Sequence, residues 1–148
     1  MKTPIAIIYL FLLLCSNKMM SQDFSSHQWK NRILVIKTNN DKNETYVNQV
    51  NDLIRNKIGL TDRKVIVYRI YNRSIIKDLK NHKDWKEIKI NHVNKTNLLK
   101  STELDFEIIL IGLDGQVKLR KSEFLDCKNL FSIIDVMPMR RQELENRN

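Results

Sequence analysis

Glycine, proline and cysteine are scarce in this chain: 148 residues hold three Gly, two Pro and two Cys. So little Gly and Pro excludes low-complexity, collagen-like and linker-rich architectures. Two cysteines exclude a dense disulfide framework. The three histidines, His27, His82 and His92, are far apart and show no metal-ligand spacing, so no metal or other cofactor is expected. The pair His82 and Asp84 reads as solvent-facing. No Gly-rich phosphate loop and no paired-carboxylate pattern occurs, so no catalytic residue is assigned. Acidic residues are outnumbered: 26 Lys and Arg face 17 Asp and Glu, for a formal charge of +9. That excess admits an anionic partner. Nucleic acid is disfavoured, because the aromatic residues are not interleaved with basic ones on any strand face.

One apolar run stands out, IAIIYLFLLLC over residues 5–15, after Lys2. It is shorter than the roughly 20 residues that cross a bilayer and has the length of a signal-peptide core. Residues 1–22 are therefore expected to be a cleaved signal peptide, cut between Ser16 and Asp23, with an uncleaved anchor as the alternative. Leu13 and Leu14 before Cys15 argue against lipidation there. Cleavage would remove Lys2 and Lys18, leaving a charge of +7 and Cys127 as the lone cysteine. The expected setting is periplasmic or extracellular, with no transmembrane helix after cleavage. Asn-x-Ser/Thr matches at Asn43, Asn72 and Asn94 read as chance in a chain so rich in Asn.

Residues 23–148 read as one domain, a usual size for a single core. Residues 33–36, ILVI, form a run that marks a strand buried on both faces. Asp41 with Glu44 signals a helix start. Tyr46, Val47, Val50, Leu53, Ile54 and Ile58 recur at helical spacing, and Gly59 stands where a C-cap belongs. Residues 64–71, KVIVYRIY, form a second strand, so a βαβ unit with parallel strands is expected. Residues 72–105 are polar and Lys-rich; short helices are expected before Trp85 and at 96–102. Residues 106–112 make a third strand, Asp114-Gly115 a hairpin turn, and residues 116–121 its partner. That partner alternates Val117 and Leu119 with Lys118 and Arg120, an apolar face and a basic one. Asp126 is the expected cap of a helix through Met137, and Pro138 interrupts that helix or starts a last turn. The order β-α-β, helical insertion, β-β, α predicts an α/β fold. It has a central mixed sheet of about four strands, helices on both faces and the thioredoxin-like arrangement.

Two stretches carry a family resemblance. One is Ile111-Gly112-Leu113-Asp114-Gly115-Gln116-Val117-Lys118-Leu119-Arg120. The other is Leu130-Phe131 followed by Ile134-Asp135-Val136-Met137-Pro138-Met139-Arg140-Arg141-Gln142-Glu143. With Trp29 and the strand from Arg32 to Val35, they resemble the domain of unknown function 4174. That family comprises small exported bacterial proteins and modules of animal extracellular-matrix proteins with sushi repeats or coiled-coil regions. The resemblance implies a thioredoxin-like fold and an extracytoplasmic setting. It implies no activity and no catalytic residues.

A redox-active thioredoxin-like protein carries its cysteine after the first strand, where this chain has residues 38–43, TNNDKN. A disulfide-exchange nucleophile is therefore missing there. Cys127 reads as a buried small residue near a helix start, or as the thiol of a degenerate peroxiredoxin-like protein. Lys118, Arg120, Arg140 and Arg141 read as a possible anion or partner patch. Alternatively, Arg140 pairs with Asp135 and pins the C-terminal segment, while Lys118 and Arg120 keep the edge soluble. The expected function is that of an exported, non-enzymatic binding module. Its partner would be an envelope or extracellular protein, or an anionic glycan.

Overall fold

A computed structural model describes residues 24–71, 74–77, 86–88 and 104–147. The fold is α/β, a mixed sheet with helices, as the element order predicts. A 3-10 turn, Phe24–His27, precedes β1 (Arg32–Thr38). Then follow α1 (Glu44–Arg55), α2 (Lys57–Asp62) and β2 (Val65–Tyr71). Two short strands, β3 (Ser74–Lys77) and β4 (Lys86–Ile88), lie in the polar middle. The chain closes with β5 (Phe106–Ile111), β6 (Val117–Lys121), α3 (Cys127–Asp135) and α4 (Pro138–Glu145).

The sheet order is β4-β3-β2-β1-β5-β6. β1 runs parallel to β2 and antiparallel to β5, with Leu34 opposite both Val67 and Leu110. β2-β1-β5-β6 are the four expected strands, in the thioredoxin-like order. β3 and β4 extend the sheet beyond β2 in a stretch expected to be helical. The expected helices before Trp85 and at 96–102, like the segment 1–22, lie outside the described residues. No helix among the described residues is long and apolar enough to cross a membrane.

β1 is buried along nearly its whole length because its neighbours flank it on both edges and side chains cover both faces. On one face, Leu34, Ile36, Ile108 and Leu110 pack against Val50, Leu53, Leu60, Leu130 and Ile134 from the helices. On the other, Ile33, Val35, Tyr68, Ile70, Ile109 and Ile111 form a second cluster. That cluster draws nothing from the four helices. Phe24 caps it, its ring edge-on to Tyr68, and His27 hydrogen-bonds the Tyr68 hydroxyl at 2.7 Å. Helices on both faces are thus not found among the described residues.

Two helix boundaries correct the sequence reading. The cap of α1 is Asn43, not Asp41: its side chain accepts the Tyr46 N–H at 3.1 Å. At the other end Asn56 breaks the helix, and its side-chain amide donates to the Asp52 carbonyl. The phase resets there, so Ile58 is 88% exposed instead of continuing the apolar stripe. Gly59 sits inside α2 and caps nothing. A Cβ there would stand 2.6 Å from the Phe131 ring, so this glycine makes room for α3. Asp126 caps α3 as expected, accepting from the Asn129 N–H at 2.9 Å, and Pro138 opens α4 at its first turn. In the hairpin, Gly115 adopts φ +78°, a left-handed conformation that suits glycine.

Candidate functional site

The loop that would carry a redox cysteine is held by ordinary turn bonds. The Thr38 hydroxyl donates to the Asn40 and Asp105 carbonyls, and Asn40 Oδ1 accepts the Lys42 N–H. Cys127 lies elsewhere. Its N–H donates to Asp52 Oδ2 at 2.7 Å, eight residues into α1, about 12 Å along the helix axis from that loop. The residue is 2% exposed. It occupies the first position of α3, where a helix dipole alone would favour a thiolate. Burial outweighs this, and the Asp52 and Asp126 carboxylates add to it, so the thiol is pushed up to about 12. About one thiol in 10⁵ is then ionised at pH 7. The expected buried reading holds, and the geometry does not make Cys127 a nucleophile.

The four cations read from the sequence do not form one patch. Lys118 Nζ pairs with Asp114 at 2.5 Å. Arg120 pairs with the buried Glu107 at 2.8 Å, which Lys37 also contacts at 2.9 Å. That group lies at the Lys37 end of β1. Arg140 belongs to a cluster at the Arg32 end, five residues or about 17 Å away along the strand. Arg140 is 2% exposed. Its guanidinium donates to Asp62 Oδ2, to the Asp62 carbonyl at 3.0 Å, to Asp135 at 3.3 Å and to Glu143 at 3.3 Å. Arg63 binds both Asp135 oxygens, and Arg32 and Lys64 reach Glu143. Arg141 alone of the four is exposed without an ion-pair partner among the described residues. The pairing of Arg140 with Asp135 is present, and the single-patch reading is corrected. Met137, Pro138 and Met139 lead the chain into α4 and aim Arg140 inward.

The cluster is electrostatically matched. Burial raises the Glu143 carboxyl, but Arg32, Lys64 and Arg140 more than offset this, and it falls below its usual range. The Arg147 hydrogen bond, against some burial and with help from Arg140, holds Asp62 low as well. The resembling segments at the two ends of the domain therefore meet here as a clasp: Arg32 from the opening, and Asp135, Arg140 and Glu143 from the close.

A different surface is open. A groove of about 450 Å³ is lined by Glu44, Thr45, Asn48, Asn51, Asp52, Arg55 and Phe124. Glu44, Asn48, Asn51 and Arg55 recur at spacings of four, three and four, one face of α1. Phe124, 44% exposed, faces them from the segment before α3. That segment is clamped. The buried Gln49 amide accepts the Leu125 N–H at 2.9 Å and donates to the Leu125 carbonyl at 2.8 Å. The Asp52–Cys127 bond fixes the next residues. Glu44, Thr45, Asn48, Asn51 and Arg55 make no side-chain hydrogen bond with the described residues. In the sequence only the apolar stripe of this helix was legible, and nothing there paired the opposite face with Phe124.

Neither a curated protein nor a solved structure matches this chain. The family model for the Domain of unknown function (DUF4174) matches residues 23–143, from the 3-10 turn to the Glu143 that closes the clasp, and the chain belongs to that family.

Proposed function

We propose that this protein is an exported, non-enzymatic binding module whose ligand sits in the groove between α1 and Phe124. The observation that carries the proposal is the inert thiol: Cys127 is buried, ringed by carboxylates and held out of its ionised form. With no cysteine in the loop after β1, the fold has no reacting sulfur to present. Export rests on Lys2 and the apolar run at residues 5–15, whose length suits a signal peptide. The basic edge around Lys118 and Arg120 is a weaker surface, because both cations already hold carboxylates. The groove offers side-chain donors and acceptors of Glu44, Thr45, Asn48, Asn51 and Arg55 that bond no other described residue, with a volume within the range of roughly 300–1,000 Å³ usual for binding pockets.

The test has two arms. Purified protein should neither reduce insulin nor turn over peroxide; measurable activity lost in Cys127→Ala would overturn the non-enzymatic reading. Crosslinking of the full chain in its native cells should yield an adduct that Phe124→Ala abolishes. An adduct indifferent to Phe124 would move the site elsewhere.

A further inference from the structure

Resting on that reading of the groove, we infer that its ligand is a neutral, hydroxyl-rich saccharide stacked on Phe124 and hydrogen-bonded by Asn48 and Asn51. The first reason is charge. The chain carries +9, yet this surface holds Glu44 and Asp52 against Arg55 alone. A polyanion would meet like charge here and more favourable surface elsewhere. The second reason is the kind of polar group. Carboxamides, a hydroxyl, a carboxylate and a guanidinium supply donors and acceptors side by side, as vicinal sugar hydroxyls require. Asn48 and Asn51 are three residues apart on α1, so their amides are neighbours, about 5–6 Å apart at Cβ.

The third reason is the single aromatic ring. Phe124 exposes its ring with no polar atom of its own. A flat apolar surface beside a polar row matches a pyranose, which has an apolar C–H face and an equatorial belt of hydroxyls. A peptide ligand would ask for apolar pockets to hold side-chain anchors, and six of the seven lining residues are polar. The stripe from Glu44 to Arg55 is about 16 Å long, room for more than one sugar unit. Preorganisation completes the case: the Gln49 clamp on Leu125 holds the segment that bears Phe124 before any ligand arrives.

The test is a titration of the full chain with neutral oligosaccharides of glucose, galactose and N-acetylglucosamine, followed by calorimetry and amide NMR shifts. Binding of at least one series is expected, with shifts along α1 and around residue 124. Phe124→Ala and Asn48→Ala should each weaken it about tenfold, near 1.4 kcal/mol, without lowering the melting temperature. Sulfated or uronate oligosaccharides should bind no better than neutral ones. Stronger binding of the acidic sugars, or neutral binding unchanged in both variants, would overturn the inference. If no neutral sugar binds while the native crosslink still depends on Phe124, the saccharide assignment falls and the groove stands. If neither depends on Phe124, both fall.

Discussion

Replacing Arg140 separates a buried clasp from a surface binding site. Its side chain is 2% exposed and donates to Asp62, Asp135 and Glu143. Removing one partner from a fully buried ionic cluster costs about 3–5 kcal/mol, but only Arg140 and most of Glu143 are buried here, while Asp62 and Asp135 are about a third exposed and partly solvated. Here Asp62 keeps Arg147, Asp135 keeps Arg63, and Glu143 keeps Arg32 and Lys64, which argues for the lower end. At a few degrees per kcal/mol for a domain of this size, Arg140→Met should lower the midpoint by roughly 8–15 °C. Arg141→Ala, on the exposed side of the same helix, should change stability by less than about 0.5 kcal/mol. Arg32→Met should cost less than Arg140→Met, since Arg32 Nε and Nη2 find no hydrogen-bond acceptor among the described residues. Thermal melts by circular dichroism at fixed pH and salt read all three. An Arg140→Met protein melting within 2 °C of wild type would refute the clasp.

Other perturbations check the remaining parts. Gln49→Met keeps the volume but strands the Leu125 N–H and carbonyl, and should cost about 2–4 kcal/mol by urea denaturation; a loss under 1 kcal/mol would show that the segment is not clamped. Cys127 should react with a thiol reagent only after unfolding, and fast labelling of the native protein would contradict its burial. The folded thiol at about 12 against roughly 8.5 unfolded means that the unfolded state releases its proton first as pH rises. Wild type should therefore lose up to about 1.4 kcal/mol per pH unit above pH 9 relative to Cys127→Ala; parallel pH profiles of the two would refute this. On the acid side, Glu143 and Asp62 lie low in the fold, so the unfolded state takes up protons first. Their contribution is intact at neutral pH, shrinks as pH falls below about 5 and is lost below the folded values, and an Arg140→Met protein should show a shallower acid slope. Gly115→Ala should cost about 1–2 kcal/mol from backbone conformation, because a Cβ there has room beside Gln28.

The four long strands were legible because each is a short run of β-branched and aliphatic residues closed by polar or turn residues, as with residues 33–36 and the Asp114-Gly115 hairpin. The Asp126 cap and the Pro138 helix start were legible for a local reason too: each acts within one turn. What escaped was tertiary. Gly59 looked like a stop signal, but its role is set by Phe131, 72 residues away. Ile58 looked like core because nothing local announced the break at Asn56. The same limit hid both the clasp and the groove. Arg140 and Asp135 could be paired from their spacing, but Asp62 and Arg63 reach them, and Arg32 reaches Glu143, only through the fold. The apolar stripe of α1 could be counted, whereas Phe124 met the helix's opposite face only once Gln49 had seized the Leu125 backbone.

The clasp between Arg32 and Glu143 joins residues 111 positions apart. Closing so long a loop carries its entropic penalty before the contact returns anything. A growing chain cannot make that closure until its last helix has left the ribosome. The first strand can pair with β2 and β5 before then, but its Arg32 end waits for α4 to bring the carboxylate that fastens it. A protein cut short even a few residues before Glu143 would be left as an open ring without its fastener.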